Sequence, residues 1–160
     1  MEILEADHWL RLRELRLNSL RESPEAFGGN LVVESAFAES EWRSKFSKLD
    51  FLVASIDEVD IAIMSVEVLD GDHGATCWIG GCWSDPKYRG QGALRALFEY
   101  LDSCAIEKGW QRQGLGVWAD NDLAIAAYRA IGFENPGFEQ ESERQPGRFY
   151  IHMVRDSVSK

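Results

Sequence analysis

Apolar and polar residues alternate along the chain with two different periods, and these periods predict its helices and strands. Over residues 7–20, leucines recur between arginines in a pattern typical of an amphipathic helix. Ser23-Pro24 ends this helix, and Gly28-Gly29 predicts that the following segment is a mobile loop. Residues 40–49 predict a second, short helix, with Ser40 as its N-cap.

The middle of the chain is rich in apolar and β-branched residues and predicts three consecutive strands. Residues 51–56 and 60–69 predict a hairpin joined through residues 57–59, and residues 75–83 predict the third strand of a meander. Gly80-Gly81 lies inside that third strand, where glycine weakens a strand interior. We therefore expect either a bulge there or a place where a ligand lies against the backbone.

The second half of the chain predicts further helices and strands. An apolar stripe predicts a helix from Gly92 that ends at Gly109, and a short helix follows over residues 122–131. Strands are predicted over residues 114–119, 133–139 and 148–155. The order of elements predicts an α/β (α+β) fold, with a mixed, mostly antiparallel central sheet flanked by helices on both faces.

Length and composition agree with a single domain over residues 1–160. The chain is 45% hydrophobic and 28% charged, which is ordinary for a globular protein. Its apolar runs are too short to span a bilayer, and its acidic first residues do not form a signal peptide, so we expect no membrane contact and a cytoplasmic location. A net charge of −10 argues against nucleic acid as a partner. A negative net charge of this size is explained by solubility, and it is only weak evidence for an amine substrate.

The cysteines and histidines do not predict a metal site. Cys77, Cys82 and Cys104 are odd in number and lie within apolar stretches, so we interpret them as reduced thiols. No pair of them has the spacing of metal ligands, and the three histidines are scattered along the chain.

The segment Arg89-Gly90-Gln91-Gly92 lies between a predicted strand and a predicted helix and is the strongest candidate for a binding site. The first N–H groups of a helix lack partners within it, and the helix dipole adds partial positive charge there. This geometry suits a phosphate or pyrophosphate, with Arg89 adding a full charge. The segment lacks the ending of a nucleotide P-loop and the third glycine of a dinucleotide fingerprint. Taken alone, it could equally be a plain turn that binds nothing.

A second motif lies about thirty residues downstream, where Asn121, Ala124, Tyr128 and Gly132-Phe133 follow one another at fixed spacing. Together with the glycine turn, it resembles the GNAT superfamily of N-acetyltransferases. The resemblance extends from the first helix to the last strand, and the order of elements is the one that this family uses. The segment from Ser23 to Gly28 resembles a bacterial subgroup of these enzymes.

The resemblance implies acetyl-CoA as co-substrate, with its pyrophosphate held by backbone amides of the glycine turn. The matching residues are Arg89, Gly90, Gln91, Gly92, Ala93 and Leu94. Leu94 departs from the glycine or alanine usual in the family. It could crowd the phosphate, but it shares an apolar helix face with Leu97 and Leu101, which favours a position in the core.

The resemblance also assigns residues to the pantetheine arm of the coenzyme. The strand before the glycine turn would bind the arm as an added strand does, through the backbone of Cys82, Trp83 and Ser84. An N–H group there could also stabilise the oxyanion of the tetrahedral intermediate. Asn121 would touch the same arm, or it would only cap the helix after it.

Tyr128 is implied to be the general acid that protonates the departing thiolate. A thiol has a pKa of about 8.5 and a phenol one of about 10, so the transfer needs only modest tuning. The alternative is a packed aromatic side chain. Glu67 is the leading candidate for the general base, followed by Glu34 and Glu41; each could instead be a solvated surface carboxylate, and water could relay the proton.

The predicted function is therefore acetyl-CoA-dependent transfer of an acetyl group to a primary amine of a small molecule or peptide, by direct transfer in a ternary complex. A non-catalytic acyl-CoA-binding sensor or interaction domain is the alternative, and a third possibility is a glycine turn that binds no ligand. The sequence does not determine the acceptor. Homodimerisation, common among relatives, is a further possibility.

Overall fold

A computed structural model describes residues 1–158 of the chain, over which it forms six α-helices and seven strands. The helices are α1 (Trp9–Glu22), α2 (Leu31–Ser35), α3 (Glu39–Ser44), α4 (Ala93–Ser103), α5 (Ala105–Lys108) and α6 (Asp122–Ile131). The strands are β1 (Glu2–Ile3), β2 (Asp50–Ile56), β3 (Val59–Val68), β4 (Cys77–Ser84), β5 (Arg112–Trp118), β6 (Glu139–Glu141) and β7 (Phe149–Asp156).

The strands form a seven-stranded sheet in the order β1-β2-β3-β4-β5-β7-β6. Strands β4 and β5 are parallel, whereas β1–β2, β2–β3, β5–β7 and β6–β7 are antiparallel pairs. A mixed, mostly antiparallel sheet with accompanying helices is the arrangement that the order of elements predicts. The predicted fold class is therefore confirmed.

The chain divides into two compact units. The first comprises Met1–Glu67 and Gly81–Leu101, and the second comprises Val68–Gly80 and Asp102–Lys160. The first unit has an apolar core in which leucines of α1 pack with aromatic residues, as its amphipathic pattern predicts. The buried members of this core are Leu4, Leu12, Leu15, Leu17, Trp42, Phe51, Val53, Ile63 and Trp83.

The predicted hairpin of the first unit is present, with a tighter turn than expected. Asp57 and Glu58 alone connect β2 to β3, and both have positive φ, at 49° and 66°. Two such residues form the two-residue turn whose twist matches that of paired strands. Val59 consequently belongs to β3 rather than to the connection.

Two local hydrogen bonds explain where the sequence misplaces the helices before this hairpin. The side chain of Asn30 accepts a hydrogen bond from the N–H of Val33 at 3.1 Å, so helix α2 forms inside the predicted loop. Helix α3 begins after Ala38, not at Ser40, because Glu41 accepts a hydrogen bond from the N–H of Ala38 at 3.1 Å. The predicted cap at Ser40 is therefore wrong.

In the second unit, β5 pairs with β4 on one side and β7 on the other, with Trp78 opposite Gly114 and Gly116 opposite His152. Helix α6 has its predicted bounds and ends at Gly132, whose φ of 110° is left-handed. Of the predicted strand over residues 133–139, only Glu134, in an isolated bridge to Val154, and Glu139, the first residue of β6, are paired. Asn135 accepts hydrogen bonds from two N–H groups that follow Pro136, which makes a turn there, and β6 starts only at Glu139.

The predicted helix from Gly92 to Gly109 is interrupted. Helix α4 ends at Ser103 and α5 starts at Ala105, after which Gly109 ends α5 with a φ of 80°. The apolar stripe therefore predicted the ends of this segment and missed the break at Cys104. None of the helices in the described residues is long and apolar enough to cross a lipid bilayer.

Candidate active site

The glycine turn of the first unit has the backbone conformation that an anion-binding turn requires. Gly90 and Gly92 have φ values of 79° and 82°, a region that side chains disfavour. Both are exposed, and a Cβ at either position would meet no atom within 4 Å. Glycine is therefore needed there for conformation rather than for space. The turn leads directly into α4, where Ala96 donates its N–H to the carbonyl of Gly92 at 2.9 Å.

The first backbone N–H groups of α4 have no carbonyl partner within the helix. They belong to Ala93, Leu94 and Arg95 and follow an exposed turn in which Gly90, Gln91 and Gly92 carry little or no apolar bulk. The helix dipole favours an anion at this end. The arrangement fits a diphosphate held by backbone groups.

Leu94 lies in the first turn of α4 and is half-buried, whereas Leu97 and Leu101, on the same face of the helix, are fully buried. The apolar face of α4 therefore becomes more exposed toward the glycine turn. The side chain of Leu94 lies at the margin of that face rather than deep in the core.

The sequence suggests an unpaired positive charge at Arg89, but in the structure this charge is paired with a carboxylate. Its Nη2 lies 2.7 Å from Oε2 of Glu22, and its Nε donates to the carbonyl oxygen of Ser84 at 3.1 Å. Glu22 also accepts hydrogen bonds from Nε1 of Trp83, at 2.8 Å, and from the hydroxyl of Ser23. Arg89 and Glu22 thereby fix the last residue of α1 beside the end of β4.

The pKa of Glu22 reflects these contacts. Burial alone would raise it, but the hydrogen bonds from Ser23, Trp83 and Arg89 outweigh burial and hold the pKa below its ordinary value. Glu22 is therefore a carboxylate at neutral pH. Sequence reasoning missed this residue, because it is separated by more than sixty residues from both Trp83 and Arg89.

Strand β4 has the irregularity that Gly80-Gly81 predicts. Gly81 is exposed and has a φ of 57°, after which Cys82 is half-buried and Trp83 is buried. A left-handed residue inside a strand interrupts the regular pleat. The backbone of Cys82, Trp83 and Ser84, predicted to contact the coenzyme, follows this interruption.

The three candidate bases have different surroundings in the first unit. Glu67 is half-buried on β3, and Glu41 is exposed and accepts the N–H of Ala38. Glu34 is buried and accepts two hydrogen bonds from the guanidinium of Arg16. Both oxygens of Glu34 are therefore already engaged by Arg16. Glu67 remains the leading candidate.

Asn121 and Tyr128 lie on helix α6 of the second unit. Oδ1 of Asn121 accepts a hydrogen bond from the N–H of Ala124 at 3.2 Å, so the side chain is an N-cap. Tyr128 is half-buried, and its ring meets the ring of Phe133 edge-on, with centroids 5.9 Å apart. The carbonyl of Tyr128 accepts the N–H of Phe133 at 3.0 Å, which closes the helix.

A buried ion-pair network holds the C-terminal end of α6, and sequence reasoning missed it. Nη2 of Arg155 lies 2.8 Å from Oδ1 of Asp102, and its Nε donates to Gln113 at 2.8 Å. Its Nη1 donates to the carbonyl of Ile131 at 3.1 Å, and the guanidinium lies over the ring of Phe133. Arg155 is thus a positioning residue for the helix that carries Tyr128.

His152, three residues before Arg155 on β7, lies in a cluster of aromatic rings. The ring of Phe138 stacks on it with centroids 4.2 Å apart, and its Nδ1 lies 3.7 Å from Oδ2 of Asp72. The remaining rings around it are those of His73, Trp78 and Tyr150. Burial lowers the pKa of His152 below its ordinary value; Asp72 opposes this and His73 adds to it. The imidazole is therefore neutral in the folded protein.

We expect this histidine to make the fold sensitive to acid. Since the unfolded chain takes up the proton near pH 6.5 and the folded chain only at lower pH, stability is full above 6.5 and falls as pH drops through the folded-state pKa. The slope reaches at most about 1.4 kcal/mol per pH unit. Urea unfolding of His152→Phe between pH 8 and 5 should show a smaller loss than the unaltered chain. Equal losses of stability in the two proteins would contradict the expectation.

Cysteine and metal chemistry find little support among the described residues. Burial raises the pKa of the Cys77 thiol to about 12, so it stays protonated. Cys82 and Cys104 are half-buried, and neither forms a disulfide with another described residue. Over the part of the chain that the structure describes, no three His, Cys, Asp or Glu side chains are grouped as metal ligands would be.

The family model described as Acetyltransferase (GNAT) family matches residues 12–133. The chain therefore belongs to the GNAT family of acetyltransferases. The predictions of this family, and of acetyl-CoA as its co-substrate, are confirmed.

Two curated relatives match part of the chain. Acetyltransferase SG1711 of Sodalis glossinidius is 36% identical over 85 residues, which cover 52% of this chain and 56% of the relative. N-alpha-acetyltransferase RimI of Mycobacterium tuberculosis is 39% identical over 77 residues, covering 46% of this chain and 44% of the relative. The matched segment thus spans about half the length of these relatives.

Solved structures match over nearly the whole chain. The structure of yncA from Salmonella typhimurium, described with its cofactor acetyl-CoA, has a TM-score of 0.75 at 13% identity and covers 99% of this chain and 94% of its own. At this identity the likeness shows the fold alone.

Proposed function

We propose that this chain is an acetyl-CoA-dependent N-acetyltransferase that moves an acetyl group to a primary amine of a peptide or small molecule, directly in a ternary complex. The observation that carries the proposal is the turn at Gly90 and Gly92, with its left-handed glycines and its exposed entry into α4. A relative named for N-alpha acetylation supports an amine acceptor.

In this proposal the backbone holds most of the co-substrate. N–H groups of residues 90–94 bind the diphosphate, and the backbone of residues 82–84 pairs with the pantetheine arm. Glu22 keeps Arg89 beside the turn through their 2.7 Å contact. Asn121 contacts the same arm in addition to capping α6.

The chemistry needs one base and one acid. Glu67 takes the proton from the acceptor ammonium, directly or through water, and the free amine attacks the thioester carbon. A C–N bond forms, the C–S bond breaks, and the electron pair of the C–S bond leaves on sulfur. The Tyr128 hydroxyl gives its proton to this thiolate, and the second proton that the nitrogen loses as the amide forms returns Tyr128 to its neutral form through water. The oxyanion formed in between is stabilised by a backbone N–H of the strand before the turn.

A covalent acyl-enzyme is not part of this proposal. Cys77 is buried and its raised pKa of about 12 leaves it without a thiolate. Neither Cys82 nor Cys104 has a histidine neighbour in sequence that would activate it.

Release of coenzyme A thiol from acetyl-CoA in the presence of an amine panel tests the proposal. We expect release that depends on the amine and produces a stoichiometric amount of acetylated product by mass spectrometry. Binding of acetyl-CoA with no release across small amines, polyamines, amino acids and peptides would favour the acyl-CoA sensor. Absence of any binding would favour a turn without a ligand.

A further inference from the structure

Arg16 of helix α1 is held in one orientation by its neighbours in the first unit. Its Nε and Nη2 donate to the two carboxylate oxygens of Glu34 at 2.9 and 3.2 Å. The guanidinium lies over the ring of Phe27, 5.5 Å from the centroid. Glu34 is buried, with 7% of its surface exposed. A two-point contact to a buried carboxylate fixes the plane of the guanidinium as well as its position.

Two glycines leave space around this pair. A Cβ at Gly29 would lie well inside van der Waals distance of both Arg16 and Glu34, so even alanine there would displace the ion pair. At Gly81 of β4, a Cβ would lie 3.8 Å from Nη1 of Arg16. The ion pair therefore takes up the space that a side chain would need at position 29, whereas at position 81 Nη1 of Arg16 is a neighbour at ordinary contact distance.

The two hydrogen bonds from Arg16 to Glu34 use Nε and Nη2. The third nitrogen, Nη1, has no hydrogen-bond acceptor among the described residues. A guanidinium offers five N–H donors. A quarter of the Arg16 side-chain surface is exposed, at 25%. A fixed, partly exposed donor therefore remains beside Gly81, directly before the strand residues proposed to bind the pantetheine arm.

The charge around this donor selects the kind of acceptor atom. Glu34 already neutralises Arg16, and the chain carries a net charge of −10. A second carboxylate would have to approach close to Glu34 and would be repelled by it. A neutral carbonyl oxygen accepts the same hydrogen bond without that repulsion.

We infer that Arg16 determines acceptor specificity by donating a hydrogen bond from Nη1 to a carbonyl oxygen adjacent to the acceptor amine. The acceptor is then an α-amino amide, which means a peptide N-terminus or an amino-acid amide, and not a free amino acid. The inference rests on the proposed acetyl transfer and adds the substrate class to it. Glu34 is the positioning residue for this donor.

The first arm of the test compares acceptors with the unaltered protein. The best first residue from a peptide panel is assayed as a tripeptide, as its amino-acid amide, as the free amino acid and as the matching amine without a carbonyl. We expect kcat/KM to be at least about tenfold higher for the tripeptide and the amide than for the free amino acid and the amine without a carbonyl. One hydrogen bond from a charged donor contributes enough binding free energy for a difference of this size. A tripeptide that exceeds the amide identifies a polypeptide as the acceptor.

The second arm compares two arginines of the same helix. Arg16→Lys keeps the charge and removes the planar fork, and it should raise KM for the amide at least about tenfold while kcat and the Kd for acetyl-CoA stay within about twofold. KM for the amine without a carbonyl should not change. Arg13→Gln, at an arginine whose only ion-pair partner within residues 1–158 is its neighbour Glu14, should leave every parameter unchanged.

Three results would overturn the inference. They are a preference for the free amino acid, equal losses of Arg16→Lys on acceptors with and without a carbonyl, and a loss confined to kcat. If circular dichroism shows that Arg16→Lys is unfolded, Arg16→Gln takes its place, and the acceptor comparison of the first arm still decides. Should the unaltered protein acetylate no amine at all, the proposed function itself fails; an active protein with no carbonyl preference contradicts only this inference.

Discussion

Replacing Tyr128 with phenylalanine is expected to lower kcat about a hundredfold or more, the lower range for loss of a general acid. Without the hydroxyl, the thiolate of coenzyme A must leave unprotonated or take its proton from water. The ring and its contact with Phe133 are retained, so the Kd for acetyl-CoA should change less than about twofold. Steady-state kinetics over a pH series, with calorimetry for Kd, measures both quantities.

Tyr150→Phe is the matched control, because Tyr150 is another half-buried tyrosine of the second unit. It should leave kcat and its pH dependence unchanged. If Tyr128→Phe retains the turnover and the pH profile of the unaltered protein, Tyr128 has no part in the proton transfer, and water or another group must supply the proton.

The largest loss of stability is expected for Arg155→Ala. The change leaves the Asp102 carboxylate, 8% exposed, without its 2.8 Å partner, and it deprives Gln113 and the carbonyl of Ile131 of their donor. Removing one partner of a buried ion pair costs about 3–5 kcal/mol in the free energy of unfolding. Urea denaturation followed by circular dichroism measures it.

Arg112→Ala provides the comparison, since Arg112 pairs with Asp156, whose side chain is 77% exposed. An exposed pair contributes about 0–1 kcal/mol. The double variant Asp102→Asn with Arg155→Met should recover part of the loss, because no unpaired charge is then buried. Similar losses for Arg155→Ala and Arg112→Ala would show that the network does not hold this part of the fold.

The sequence predicted those elements whose signals are local. Helix α6 has an asparagine cap, small apolar residues and a terminal glycine within twelve positions, and its bounds are as predicted. The hairpin of β2 and β3 follows from two runs of β-branched residues. The glycine turn at residues 89–92 stands out because its glycines are closely spaced and lie between a strand and a helix.

What the sequence missed depends on residues far apart in the chain. Glu22 meets Trp83 and Arg89, and Arg155 meets Asp102, across separations that no local pattern encodes. In the sequence, Arg16 resembles any solvated arginine of an amphipathic helix. Its fixed orientation depends on the buried Glu34, eighteen residues away, and on a glycine at position 29, where a side chain would collide with the pair.

Hydrogen bonds from backbone N–H groups to nearby side chains explain several of the smaller errors in the predicted helix and strand boundaries. The carboxylate of Glu41 makes Ala38 the N-cap of α3, and Asn135 forms a turn where a strand was predicted. Both are short-range effects, but several residue types compete for the same N–H groups. Propensity alone does not decide which of them wins.

Calorimetric titration of coenzyme A into three proteins tests the central claim most directly. They are the unaltered chain, Gly92→Val and Gly137→Val. Gly92 and Gly137 have φ values of 82° and 91° and both are open to solvent, so valine imposes the same backbone strain at each. Only Gly92 belongs to the turn proposed to bind the diphosphate.

We expect Gly92→Val to weaken coenzyme A binding about tenfold or more, because a left-handed valine costs at least about 1–2 kcal/mol and moves the N–H donors of the turn. Gly137→Val should bind like the unaltered protein. If Gly92→Val binds coenzyme A with unchanged affinity, or if both valine variants lose it equally, the glycine turn does not hold the diphosphate and the proposed mechanism is wrong.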